Sequence, residues 1–373
     1  MHSLNNKNIK TSRVTGERRT DFHAAIRPDG NLSFQEQLDC LSREYSSLLE
    51  QSGLKDEHLL FTKVFVSDLI NWKDAIKEHP FFIDKLEQGA VSIIEQPPLD
   101  GSKINILLWF VKAAKMEKQK KDDAIFAIIN DNMHIFQSIR VRPGSHSLDV
   151  LTEQAFERHR TLLQQHDMNI LDNCMRTWLY VKDIDKDYAE VVKGRNSFFD
   201  RNGLNLNTHF IASTGIGGSG DSPSDRLSID FYSIKGLKAG DVKYLNALDY
   251  LNRTSEYGVS FERGTSITHA DLKLIFISGT ASIDRDGKCI HERDVLKQLE
   301  RVFVNIEKLL ADAGATPGSM VQMVTYLRDL SDYEAVNKYM AERFSHIPNI
   351  IVLARVCRPQ WLVEVECMAA TSE

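Results

Sequence analysis

The sequence predicts an α+β protein made of three tandem units, each a mixed β-sheet with helices on one face. Three observations point there. The order strand–strand–helix–strand–helix–strand runs through the chain three times. The middle strands of the three passes end alike, in Phe65-Val66-Ser67-Asp68-Leu69, Tyr180-Val181-Lys182-Asp183-Ile184 and Tyr326-Leu327-Arg328-Asp329-Leu330. A length of 373 residues also exceeds one ordinary core. The predicted units are 1–118 (an N-terminal arm plus a divergent copy), 119–240 and 241–373. Each leaves a bare sheet face, and three units can cover these faces by packing on one another as an intramolecular pseudo-trimer.

In the first unit, residues 1–30 are polar and basic and read as a mobile arm ending in an edge strand. Leu38, Leu41, Tyr45, Leu48 and Leu49 give a helix over 34–52. A strand over 59–68 and a helix over 72–87 follow. Strands 90–96 and 104–111 are joined through Pro97, Pro98 and Gly101, a turn by composition. Residues 115–123, KMEKQKKDD, read as a charged linker. The second unit has strand residues over 125–141, a helix over 147–165, a strand over 175–184, a helix over 188–201 and strands over 209–235. The third has strands over 259–265 and 272–283. Its next helix, 294–313, has the buried stripe Leu296, Leu299, Phe303, Ile306, Leu309 and Leu310, with Gly314 as its cap. A strand over 321–330 and a helix over 332–344 lead to the closing stretch. Asp68, Asp183 and Asp329 each stand where a carboxylate can accept backbone N–H groups at a helix start, so capping is their expected role.

Composition excludes several functions. The net charge of −6 does not support nucleic-acid binding. The longest apolar run, 104–114, is too short for a membrane span, and the N-terminus has no secretory core segment. Five scattered cysteines without CxxC or HxxxH spacing indicate neither a disulfide framework nor a zinc site, and fit a reducing cytoplasm. Gly215-Ile216-Gly217-Gly218 is not GxGxxG and opens no helix, so no nucleotide cofactor is expected. His134, His146, His209, His269 and His291 show no triad spacing. No cofactor or metal is called for, and the expected partner is a small molecule.

The closing stretch alternates after Pro359. Leu362, Glu364 and Glu366 point one way, and Val363, Val365 and Cys367 the other. One side packs on helices, so the other is either wet or a polar pocket. The pattern alone leaves both open for Glu364.

The repeat resembles the RidA (YjgF) family, α+β units that usually form trimers with clefts between subunits. The third unit carries the resemblance in Phe276-Ile277-Ser278-Gly279-Thr280-Ala281, the helix ending Asp312-Ala313-Gly314-Ala315, Tyr326-Leu327-Arg328-Asp329 and Val363-Glu364-Val365-Glu366. Five segments together resemble the chorismatases, which remove pyruvate from chorismate on this scaffold. They are Arg176–Tyr180, Ala212–Gly218, Phe261-Glu262-Arg263-Gly264, Ser278–Ile283 and Cys357–Glu364. The resemblance implies that Glu364 donates a proton to the methylene carbon of the enolpyruvyl ether, which requires a carboxyl kept protonated by an apolar pocket. The two substrate carboxylates call for arginines, whose forks bind carboxylate through two bonds. Candidates are Arg176 with Tyr180, Tyr326 with Arg328, and Arg263 and Arg358; surface ion pairing is the competing role for each arginine. Thr214, Gly215, Ile216 and Gly217 either present backbone N–H groups to an oxygen or form a plain turn. Gly264 and Cys357 resemble a pair that sets the product: glycine with cysteine resembles the subgroup yielding 3-hydroxybenzoate, alanine-type residues the one yielding a dihydroxycyclohexadiene carboxylate by hydrolysis, and both products stay open, with Cys357 otherwise a small buried hydrophobe.

Two other functions compete. One is a RidA-type enamine/imine deaminase, whose carboxylate-binding arginine is missing from 349–354. The other is a non-catalytic metabolite-binding scaffold. One active cleft is expected between the second and third units, with the first mainly structural and the chain a monomer of pseudo-trimeric packing or part of a higher oligomer.

Overall fold

The computed structural model describes residues 6–372 apart from 143, 145, 221, 223 and 270. Three similar mixed α+β sheets follow one another, a tandem triplication. The first contains β1 (Ile9–Thr15), β2 (Arg19–Ile26), β3 (Leu59–Val66), β4 (Ala90–Glu95) and β5 (Ile104–Ala113), with α1 (Phe34–Ser52) and α2 (Leu69–Glu78). The second contains β6 (Met116–Lys121), β7 (Ala124–Ile129), β8 (Asn132–Val141), β9 (Cys174–Val181), β10 (Ala212–Gly217) and β11 (Leu227–Lys235), with α3 (Leu148–Gln164), the single turn α4 (Ile170–Asn173) and α5 (Ile184–Arg201). The third contains β12 (Val242–Leu245), β13 (Gly264–His269), β14 (Leu272–Ala281), β15 (Met320–Leu327), β16 (Asn349–Leu353) and β17 (Val363–Ser372), with α6 (Val295–Asp312) and α7 (Tyr333–Phe344). In each sheet the last strand, β5, β11 or β17, runs antiparallel beside the middle strand, β3, β9 or β15. The middle strand in turn pairs in parallel with β4, β10 or β16.

The sheet faces turned away from the helices share one core. Phe61 stacks on Phe136 with centroids 5.0 Å apart, Phe136 on Tyr232 at 4.5 Å, and Trp109 meets Tyr232 at 5.8 Å and Phe276 at 6.2 Å. All three units therefore contribute aromatic rings to it. In the first and second units the helices cover the opposite sheet faces over cores of their own.

Several elements depart from expectation. The expected mobile arm is ordered as β1 and β2, because Ile9, Phe22, Ala24 and Ile26 are buried and Asp21 accepts from Trp109 Nε1 at 2.8 Å; Met1–Asn5 lie outside the described residues. The charged linker at 115–123 is instead the edge strand β6. Lysines suit an exposed edge, and Lys118 Nζ donates to Leu59 O at 2.7 Å while Lys120 pairs with Glu87 at 2.7 Å. The helix expected to 87 stops at Glu78, because Pro80 disfavours continuation. Asp68 accepts from Asn71 N–H and Asp329 from Ser331 N–H, but Asp183 makes no cap and pairs with Lys186 at 2.9 Å. All five cysteines are free, and no helix among the described residues is long and apolar enough to cross a membrane.

Candidate functional site

β17 lies between β14 and β15, with Glu364 opposite Ala281 and Tyr326 and Glu366 opposite Val324. The acidic face is not wet: Glu364 is 4% and Glu366 6% exposed. The two carboxyls differ in their neighbours. Glu366 accepts from Lys63 Nζ at 2.7 Å, Arg176 Nη2 at 3.0 Å and Trp178 Nε1 at 3.1 Å. These donors hold it below the ordinary carboxyl range against its burial. Glu364 faces a cavity of about 420 Å³ between the second and third units. Burial pushes its carboxyl up, the Glu366 anion adds to this, and Arg176 and Arg263 oppose it; the result is about 8. Glu364 therefore carries its proton at neutral pH. Gly279 makes this position possible, since a Cβ there would overlap Glu364 Oε1. The Gly279 N–H donates to Thr214 Oγ1 at 2.9 Å, which ties β14 to β10.

The cavity gathers part of the predicted set: Glu364, Cys357, Arg263, Arg358 and Gly215 line it. Arg263 is anchored by Nε and Nη2 bonds to Asn252 O at 3.3 and 3.1 Å, and Arg358 lies 5.2 Å from the Trp361 ring centroid. Cys357 is half-buried, and its thiol is pushed up by burial and by Glu364, so it stays neutral.

The other predicted residues lie elsewhere. Arg176 turns to Glu366 and Thr214. Tyr180 and Tyr326 are buried beside that ion pair, and their hydroxyls have no hydrogen-bond partner among the described residues. Arg328 is bound to Asp185 at 2.7 and 2.8 Å and to Val356 O at 2.8 Å. Gly264 does not open the cavity; the space a side chain would need there is taken by Phe276 O, Leu245 and Ile277. Residues 214–217 are neither turn nor anion nest but part of β10. Ile216 is buried, and the Gly217 N–H donates to Arg355 O at 2.8 Å.

Sequence reasoning missed Arg195 and Tyr188 of α5, which share the cavity wall with Trp361, the apolar neighbour of Glu364. Arg195 is 1% exposed. A signal existed: Ile184, Tyr188, Val191 and Arg195 form one stripe at helical spacing, and an arginine in an apolar stripe asks for a reason. Lys63 was missed as well, because its partner Glu366 lies 303 residues away.

Register shows why one cleft differs from the others. The aligned Phe65, Tyr180 and Tyr326 face Asn105, Ser228 and Glu364 across their sheets. Only the third copy has an acid there. A larger groove of about 970 Å³, between β1 and the end of β17, has no carboxyl in its lining. No three His, Cys, Asp or Glu side chains among the described residues converge as a metal site.

Residues 266–371 match the family model described as Endoribonuclease L-PSP. A RutC family protein of Pyrococcus abyssi is 33% identical over 98 residues, which are 26% of this chain and 77% of that protein. The chain belongs to the RutC family. The 3-aminoacrylate deaminase RutC of Acinetobacter baylyi is 28% identical over 104 residues, 27% of this RutC-family chain and 82% of its own. A crystal structure of chorismatase superposes with a TM-score of 0.66, covering 84% of this chain and 93% of that one at 19% identity. That likeness is one of fold, the RidA/YjgF-like fold, and spans most of this RutC-family chain.

Proposed function

We propose that this chain is an enzyme that removes pyruvate from chorismate, with Glu364 as the proton donor. The observation that carries this is a protonated carboxyl facing a cavity, beside a second carboxyl held ionised by two cations. Environments that push two acids apart mark acid–base roles. The cavity volume of about 420 Å³ suits a small ligand, and Arg263, Arg358 and Arg195 offer charge for a dianion.

In the first step the Glu364 proton goes to the methylene carbon of the enolpyruvyl ether, leaving a carboxylate that stabilises the oxocarbenium ion. Water then adds to the cationic carbon and returns a proton to Glu364. The hemiketal collapses to pyruvate and the dihydroxycyclohexadiene carboxylate. Loss of the elements of water from the ring fragment instead gives 3-hydroxybenzoate. Cys357, a neutral thiol on the cavity wall, is the residue here that steers between these ends. Gly264 has no part in this scheme, because it lies off the cavity.

The second reading is an enamine/imine deaminase, favoured by membership of the RutC family. Against it, β16 carries no arginine, and the nearby Arg355 is paired with Asp185 at 3.0 Å. The test offers the protein chorismate and 2-iminopropionate separately, assaying pyruvate, ammonia and aromatic products. Pyruvate and a ring product from chorismate are expected. Ammonia from the imine with chorismate left intact would sink the proposal in favour of the deaminase.

A further inference from the structure

The first unit reaches the cleft chemistry through a charged side chain. Lys63, in β3, is 3% exposed. Its Nζ sits 2.7 Å from Glu366 and 4.3 Å from the centroid of the Trp178 ring. Burial pulls the ammonium below its usual range, and the Glu366 carboxylate opposes that loss. Arg176 holds the other oxygen of Glu366. Glu364 stands two residues away on the same strand face. Neighbouring buried carboxyls hold their protons as a pair, and the position of nearby cations decides which one carries the proton. Lys63 stands on the side of Glu366.

We propose that Lys63 is a positioning residue for the cleft acid: its ammonium keeps Glu366 an anion, and this leaves the shared proton on Glu364. The proposal rests on Glu364 being the proton donor. Other charged and titratable groups face the pair. Arg176 from β9 and Arg263 ahead of β13 act on Glu364, which in turn raises Tyr326 of β15 and Cys357. Tyr180 and Cys367 add to those around Glu366. Asp230, bound by Arg140 at 3.0 Å and by Ser138 at 2.7 Å, is the next carboxylate facing Lys63. Of these groups only Lys63 comes from the first unit, so the cleft between the second and third units needs all three.

The test follows carboxyl titrations by ¹³C NMR in glutamate-labelled protein, with Glu364 assigned by its absence in Glu364→Gln, beside the pH profile of pyruvate release. In the wild type Glu364 should titrate near 8. Lys63→Met should let the proton pass to Glu366, lowering kcat at pH 7 by about tenfold or more with KM little changed. Lys63→Arg should restore most of the loss. The charge-balanced Lys63→Met/Glu366→Gln removes the anion but leaves Arg176, so the Glu364 midpoint and the alkaline limb of kcat should fall by about one pH unit or more. This double variant carries the test if Lys63→Met alone does not fold. An unmoved Glu364 midpoint in the double variant, or wild-type kcat in Lys63→Met, overturns the proposal. If the wild type releases no pyruvate, the substrate assignment fails, while the NMR midpoints still decide the role of Lys63.

Discussion

At neutral pH Glu364 keeps its proton and Glu366 does not, although both are buried on one face of one strand. The difference lies in who donates to them. Lys63, Arg176 and Trp178 converge on Glu366, whereas Glu364 looks into the cavity. Proton donation needs the neutral acid. Activity should therefore hold at neutral pH and fall as pH rises through about 8, where Glu364 ionises; a pH series of kcat reads this. Gly279→Ala should push the carboxyl aside and lower kcat on the order of 100-fold with the fold intact by circular dichroism. The alternation of the closing strand disclosed the acidic face, but not which acid meets a cation. That choice is made by side chains from other units, which no local pattern reveals. Arg176 was a candidate for a substrate carboxylate, with surface ion pairing as its other role; it is instead buried and paired with Glu366, for the same reason.

At the scale of elements, α5 contributes a wall as well as a cover. Its stripe of Ile184, Tyr188, Val191 and Arg195 faces inward, and Arg195 brings a buried cation to the cavity. Arg195→Leu should raise KM for the dianion by roughly tenfold or more, the scale of one charged hydrogen bond, with a smaller effect on kcat; steady-state kinetics separates the two. β10 shows the opposite lesson. Its glycines suggested a turn, yet residues 212–217 pair in parallel with β9 and continue to Arg355. Glycine here marks close approach: a side chain at Gly217 would meet the Arg355 backbone. The helix pattern could be read because it repeats within a dozen residues, whereas the partners of a parallel strand are set by the assembled sheet.

Across the whole molecule, the triplication was written in the repeated strand ends, and the shared core followed from the need to cover three bare sheet faces. The order of β1 and β2 was hidden by polar residues that find buried partners only in the assembly. Arg19 pairs with Asp21 and contacts His269 of the third unit, and His23 meets Gln322 at 3.1 Å. His23, His134 and His269 come one from each unit and are all buried. Burial lowers all three, His23 and His269 to about 4 and His134 well below its usual value. The unfolded chain would bind these protons from about 6.5 downward, so the stability held above 6.5 should be lost as pH falls toward 4. The loss is on the order of 3 kcal/mol for His23 alone. Urea midpoints measured from pH 7 to 4 should drop, and a histidine-to-glutamine change at His23 should flatten the slope.

The role of Glu364 is tested by the rate of pyruvate release from chorismate by the wild type and by Glu364→Gln at pH 7. The wild type should release pyruvate and the variant should lose at least about 100-fold of that rate, with circular dichroism unchanged. Equal rates in the two proteins would contradict it.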